Sequence, residues 1–332
     1  MPSLPSLEAF AKGTFATVAG VTTLGCGLLY YGQNYLIYPS AFPPGSRTEV
    51  QVPTDFGLEY QDLPLVTEDG LTLRCYLLTQ RTEISNNQAA HIEYADHQTH
   101  EEFASTRPTV VMFHGNGGNH GHRIPLAKVF YVKMRCNVLM LSYRGYGHSE
   151  GSPSETGIRI DAQTALNYLN SHPYLQNTPV ILYGQSIGGA VAIDLASRNP
   201  SKIAALILEN TFTTLPRLVP KALPLLGPLS FLCHQKWDSA SKIPLIPRST
   251  PILMLSGVRD EVVPREHMQE LWQIISRRQG AKLGTGNKSD VTEVGNGKSK
   301  FIEFEGGYHN DTCVQHGYWT AVADFVANLS RL

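Results

Sequence analysis

From Thr109 onward the chain repeats one pattern: a short run of apolar, often β-branched residues, then a stretch whose apolar positions recur at helical spacing. The apolar runs are Val110 to Phe113, Val138 to Tyr143, Val180 to Tyr183, Ala204 to Leu208, Ile252 to Ser256 and Phe301 to Phe304. Runs without polar alternation suit strands covered on both faces, and strands that alternate with helices build a parallel sheet between helical layers. The pattern therefore predicts an α/β fold with a doubly wound, mostly parallel sheet. Upstream, Glu49 to Pro53 and Leu58 to Thr79 read as antiparallel strands at the sheet edge, the latter turning at Asp69-Gly70. The helix after Gly151 carries a start signal, with Ser152 as N-cap, Pro153 at the first helical position and Glu155 three residues beyond the cap.

The pattern breaks in four places. Phe15 to Tyr31 holds no charged residue, and roughly 17 residues at about 1.5 Å each make a helix of about 25 Å, marginally enough to cross hydrocarbon. Tyr30, Tyr31 and Tyr35 fit an interfacial aromatic belt, and Lys12 alone makes a thin basic region for a cleaved signal peptide, so a retained transmembrane anchor is expected. A proline-rich tether over Asn34 to Ser46 completes an N-terminal unit, 1–46, ahead of one large α/β domain at 47–332, which is expected to carry any chemistry. Residues 83–107 and 279–300 are polar and lack a period, which predicts two solvated insertions without order. Between Thr211 and Pro251, prolines recur too often for one long helix, and the leucines among them predict short helices forming an apolar, cap-like roof over the pocket.

Charge changes this picture little. The 332 residues carry 27 basic and 28 acidic side chains, so nothing in the balance points to nucleic acid. Cys26, Cys75, Cys136, Cys233 and Cys313 stand singly, without zinc-like spacing, and neither a metal nor a cofactor is expected.

Candidate chemistry gathers at the ends of strands. The run Val180 to Tyr183 leads into Gly184-Gln185-Ser186-Ile187-Gly188-Gly189 and then a helical stretch, a G-x-S-x-G pattern that places Ser186 on a tight strand-to-helix turn. A glycine-rich turn there also suits a dinucleotide phosphate, with Glu209 roughly where a ribose-binding acid belongs, but Ser186 sits where that fingerprint needs its second glycine. A serine hydroxyl needs a histidine to take its proton and a carboxylate to orient the imidazole. Asp260 follows the run Ile252 to Ser256, and His309 follows Phe301 to Phe304, giving the order Ser, Asp, His. Glu261 and Asp311 have the same chemistry but lie one or two positions off those expected. For an oxyanion, the N–H of Ile187 and one from His114-Gly115-Asn116-Gly117-Gly118-Asn119, with Asn116 the candidate, are the expected donors.

These motifs, with Tyr35-Leu36-Ile37-Tyr38-Pro39 and Tyr143-Arg144-Gly145-Tyr146-Gly147-His148-Ser149-Glu150-Gly151, resemble the fungal bud-emergence family of membrane-anchored serine hydrolases in the α/β-hydrolase superfamily. The resemblance implies cofactor-free hydrolysis of an ester, thioester or amide through an acyl-serine, with an acyl-containing substrate, at internal membranes. A catalytically silent scaffold and a nucleotide-binding oxidoreductase are the alternatives. Sequons at Asn287, Asn310 and Asn328 lead to the expectation of an anchor in the endoplasmic reticulum with a lumenal catalytic domain, while the odd cysteine count tilts toward a reducing compartment.

Overall fold

A computed structural model of the chain describes residues 7–84, 98–278, 291–294 and 298–329. The described residues open with a long helix, α1 (Leu7–Ile37), followed by the antiparallel pair β1 (Gln61–Val66) and β2 (Thr72–Leu78). A short helix, α2 (His100–Ser105), precedes β3 (Thr109–Phe113), α3 (Ile124–Lys128), β4 (Asn137–Leu141), α4 (Glu155–Ser171), β5 (Val180–Gln185), α5 (Ile187–Arg198) and β6 (Ala205–Glu209). After α6 (Leu215–Ala222), a 3-10 segment at Pro224–Leu232 and α7 (Ser239–Lys242), the sheet resumes with β7 (Ile252–Gly257). Helix α8 (Arg265–Arg278), strands β8 (Val291–Val294) and β9 (Ser299–Phe304), and helix α9 (Tyr318–Leu329) complete the described chain.

Among the described residues, nine strands form one sheet in the order β1-β2-β4-β3-β5-β6-β7-β9-β8. Strands β4, β3, β5, β6, β7 and β9 run parallel, and the outer pairs are antiparallel. Side chains alternate between the faces of a strand. Leu206 and Leu208 of β6 join a core with Ala162 and Leu166 of α4 and Leu195 of α5, while Ala205 and Ile207 face Phe130 and the α9 residues Val322 and Phe325. With both faces covered, every position of β3 to β7 is buried, which explains the unbroken apolar runs.

Five local expectations are corrected. Glu49 to Pro53 is not a strand; it runs irregularly into a 3-10 turn at Pro53–Phe56, and β1 is the sheet edge on that side. Helix α4 starts after Ser154 rather than Ser152, with the Ser154 hydroxyl accepting from Gly157 N at 3.1 Å. The Glu155 carboxylate, instead of closing a capping box, accepts from the backbone N–H of Lys236.

The supposed tether is docked. Helix α1 continues through Ile37, and Tyr38 is buried at 3 % exposure, its hydroxyl accepting from Trp237 Nε1 at 2.9 Å and donating to Gln235 Oε1 at 3.0 Å. Burying an aromatic ring with its polar tip satisfied outweighs the local preference of a proline-rich stretch for solvent. The insertion at 83–107 ends in α2, capped by Thr99 with Glu102 reaching back at 2.8 Å and anchored by buried Phe103 and Ala104. The insertion at 279–300 contributes β8, paired antiparallel with β9. The remaining parts of both insertions, 85–97, 279–290 and 295–297, lie outside the described residues.

Candidate active site

Strand β5 ends at Gln185 and α5 begins at Ile187, so Ser186 alone carries the reversal between them. Its φ of 55° and ψ of −121° fall where side-chain-bearing residues rarely sit, a local strain that surrounding structure must hold. A Cβ on Gly184 would stand 2.2 Å from the Gly188 carbonyl oxygen, and one on Gly188 would stand 2.1 Å from the Phe113 carbonyl oxygen. Both glycines are therefore required by close approach. Two bonds brace the turn: Ser186 N donates to the Glu209 carbonyl at 2.9 Å, and Thr211 Oγ1 donates to the Ser186 carbonyl at 2.7 Å.

Asp260 follows the carboxyl end of β7 and His309 that of β9. One Asp260 oxygen accepts from Val262 N at 2.8 Å and Val263 N at 2.7 Å, which leaves Oδ2 aimed at His309 Nδ1, also 2.8 Å away. Both side chains are buried, at 2 % and 8 % exposure. In a neutral imidazole this pairing keeps the proton on Nδ1 and leaves Nε2 as the acceptor. Glu261 and Asp311 hold backbone instead, accepting from His309 N at 3.1 Å and Tyr308 N at 2.5 Å.

Two residues that sequence reasoning passed over bring the histidine loop to the serine turn. Gln185 Nε2 and Asn210 Nδ2 both donate to the His309 carbonyl, at 3.0 and 3.1 Å. Asn210 adopts a φ of 44°, a region where asparagine is favoured over most residues, and its Oδ1 accepts from Gly257 N at 2.8 Å. An asparagine directly after a strand end was the available signal. Ser186, Asp260 and His309 thus sit on one edge of the sheet, with Ser186 joined to His309 through its neighbour Gln185. Among the described residues the Ser186 hydroxyl makes no hydrogen bond to His309; such bonds commonly tighten only when substrate binds.

The glycine loop after β3 lies against the same turn, since a Cβ on Gly115 would approach Gln185 Oε1 to 3.3 Å. Asn116 is pinned there by its side chain, which accepts from the Tyr146 hydroxyl at 2.6 Å and donates to the Ile37 carbonyl at the end of α1. Ile187, the first residue of α5, has a backbone N–H without an intrahelical acceptor. Beneath the turn, burial drives His114 down to about 3, so it stays neutral, and raises the Glu209 carboxyl even though the Tyr183 and Tyr318 hydroxyls donate to its Oε2 at 2.6 and 2.5 Å. A carboxylate enclosed by two tyrosines is closed to a ribose, which removes the one acid offered for the dinucleotide alternative.

The family with the alpha/beta hydrolase fold matches residues 108–228. Protein bem46 of Schizosaccharomyces pombe is 42 % identical over 308 residues, covering 92 % of this chain and 90 % of the yeast protein. This chain belongs to the bud-emergence family of α/β-hydrolase-fold proteins. Another relative of this family member, the membrane protein YNL320W of Saccharomyces cerevisiae, is 34 % identical and covers 93 % of the chain and 94 % of its own length. Among solved structures, the esterase Pf2001 of Pyrococcus furiosus superposes with a TM-score of 0.62 at 17 % identity, over 86 % of this chain and 97 % of the esterase. At that identity the likeness speaks for the fold. The family member's α1 contains a 28-residue stretch, Phe10–Ile37, long and apolar enough to cross a membrane, and together with the yeast relative's description it suggests membrane association.

Proposed function

We propose that the protein is a membrane-anchored serine hydrolase that cleaves an acyl bond through a covalent acyl-serine, with Ser186 as nucleophile, His309 as base and Asp260 as its orienting carboxylate. The carrying observation is the 2.8 Å contact between the Asp260 carboxylate and His309 Nδ1 on the sheet edge that also presents the strained Ser186 turn. Ser186 Oγ attacks the carbonyl carbon while its proton passes to His309 Nε2, and the N–H groups of Ile187 and Asn116 receive the oxyanion. As the tetrahedral centre collapses, the bond to the leaving oxygen, sulfur or nitrogen breaks, and the leaving group takes the proton from Nε2. Water then repeats the sequence on the acyl-serine and releases the carboxylic acid and the free serine. Every atom moved belongs to this chain, the substrate or water. Helix α1 serves as a single membrane span, in the endoplasmic reticulum or another internal membrane.

The test is labelling of the full-length protein by a fluorophosphonate. Ser186→Ala is expected to abolish labelling while circular dichroism and melting temperature stay at wild-type values. Labelling of that variant at the wild-type rate would overturn the assignment.

A further inference from the structure

The last turns of α1 do not stand clear of the domain. Leu29, Leu36 and Ile37 form one wall of an apolar groove whose other wall is Leu223, Leu226 and Leu229 of the roof between β6 and β7. The walls are tied together. Gln33 of α1, only 7 % exposed, donates to the Leu232 carbonyl at 3.3 Å and accepts from His234 N at 2.9 Å and Gln235 N at 3.3 Å. From Leu223 to Cys233 the roof has no charged residue, yet Leu225 and Phe231 are 95 % and 72 % exposed. On the helix, Leu24, Leu28 and Tyr31 are likewise exposed at 64 %, 67 % and 85 %. Apolar surface on two adjoining elements, one of them a candidate membrane span, is accounted for by hydrocarbon around both.

One residue of the groove touches the loop beside the candidate nucleophile. Ile37 lines the groove, and the Ile37 carbonyl accepts from the Asn116 side chain on the loop that abuts the Ser186 turn. From the bilayer, an apolar chain would thus pass between α1 and the roof and bring its carboxyl end to Asn116. From Leu29 to Ile37 the helix rises about 12 Å, the length of roughly eight to ten methylenes.

We infer that this groove takes the acyl chain of a bilayer lipid, so that the substrate is a long-chain carboxylic ester of a membrane-resident lipid, delivered from within the membrane along α1. The inference rests on the hydrolase reading and names its substrate class. A lipid is the occupant because the walls lie on the interfacial end of the candidate membrane span and on an uncharged, outwardly apolar roof, so a chain passes from the bilayer into the groove without meeting a charged lining residue.

Full-length protein in phosphatidylcholine vesicles would be given monododecanoylglycerol, monobutyrylglycerol and an S-dodecanoyl cysteine peptide, with fluorophosphonate labelling followed in parallel. The kcat/KM for the dodecanoyl lipid is expected to exceed that for the butyryl lipid by at least about ten-fold, a discrimination that even one methylene in an apolar pocket can supply. Leu229→Trp, which fills the groove, should lower that ratio by at least ten-fold, whereas Leu229→Ala, which only widens it, should lower it less; a ratio cancels differences in the amount of active protein. A ratio near one in the wild type, or one unmoved by Leu229→Trp in protein that still labels, overturns the inference and leaves the hydrolase reading standing. Faster turnover of the cysteine peptide than of the lipid overturns the lipid assignment in favour of acylated protein. Failure of the wild type to label at all would instead strike at the hydrolase reading itself.

Discussion

His309 is held at four points: its ring by Asp260, its N–H by Glu261, and its carbonyl by Gln185 and Asn210. Only the first of these sets the chemistry of the imidazole, because only it decides which ring nitrogen keeps a proton. Asp260→Asn keeps the two bonds to Val262 and Val263 available through its remaining oxygen but presents an amide where a carboxylate should fix the tautomer. The expected outcome is unchanged folding with a hydrolytic rate reduced by up to about 10⁴. Parallel assays of Asp311→Asn and Glu209→Gln check the choice: if either produces that loss and Asp260→Asn does not, the carboxylate has been misassigned. The two proposed oxyanion donors differ in legibility. Ile187 follows from its place after the nucleophile, whereas the role given to Asn116 involves a side chain fastened to Ile37 and Tyr146, partners 79 and 30 positions away in sequence.

At the scale of elements, the serine turn depends on how closely β3, β5 and α5 approach. Gly188→Ala would drive its Cβ to 2.1 Å from the Phe113 carbonyl oxygen and 2.9 Å from that of His114, both backbone atoms that cannot swing aside. Because the only relief is to push α5 off β3, the variant is expected to lose about 3 kcal/mol or more, at or beyond the upper end of ordinary overpacking. Urea unfolding measures it; a midpoint within experimental error of wild type would show that the two elements have slack. Elsewhere, element boundaries shifted where a distant partner outbid a local signal. Ser152, Pro153 and Glu155 make a sound local start for a helix, but Lys236, in a loop 81 residues away, takes the Glu155 carboxylate, and Ser154 becomes the cap.

For the whole molecule, the proposed membrane span would put the domain on one side of a bilayer, and the sequence carries two signals that bear on which. Charges flanking the apolar stretch are balanced, with Lys12 against Glu8 before it and Arg47 against Glu49 after it, so they give no orientation. Sequons offer the other signal. Asn310 and Asn328 are exposed, although Asn310 directly follows His309, and Asn287 lies outside the described residues. With a lumenal domain, endoglycosidase treatment of the full-length protein should increase its gel mobility, and Asn287→Gln should remove that shift. Absence of any shift, together with digestion of the domain by protease added to intact microsomes, would put the domain in the cytosol.

The doubly wound sheet, its crossing helices and the placement of Ser186, Asp260 and His309 at strand ends on one sheet edge were legible in the chain because a strand buried on both faces must be apolar throughout, and a strand-end residue announces itself by following such a run. The long apolar stretch of α1 was legible for the same reason, since composition and length decide it alone. Tertiary structure decided what depends on partners remote in sequence. Tyr38 is a core residue because Gln235 and Trp237 complete its hydroxyl, Gln185 and Asn210 matter because they reach the His309 carbonyl, and Phe103 anchors a helix inside a stretch that reads as polar. The groove between α1 and the segment linking β6 to β7 belongs here too, because its walls are separated by nearly two hundred residues and neither is a groove without the other. Local pattern reports how each segment meets water; which segment it meets instead of water is settled only when the chain closes on itself.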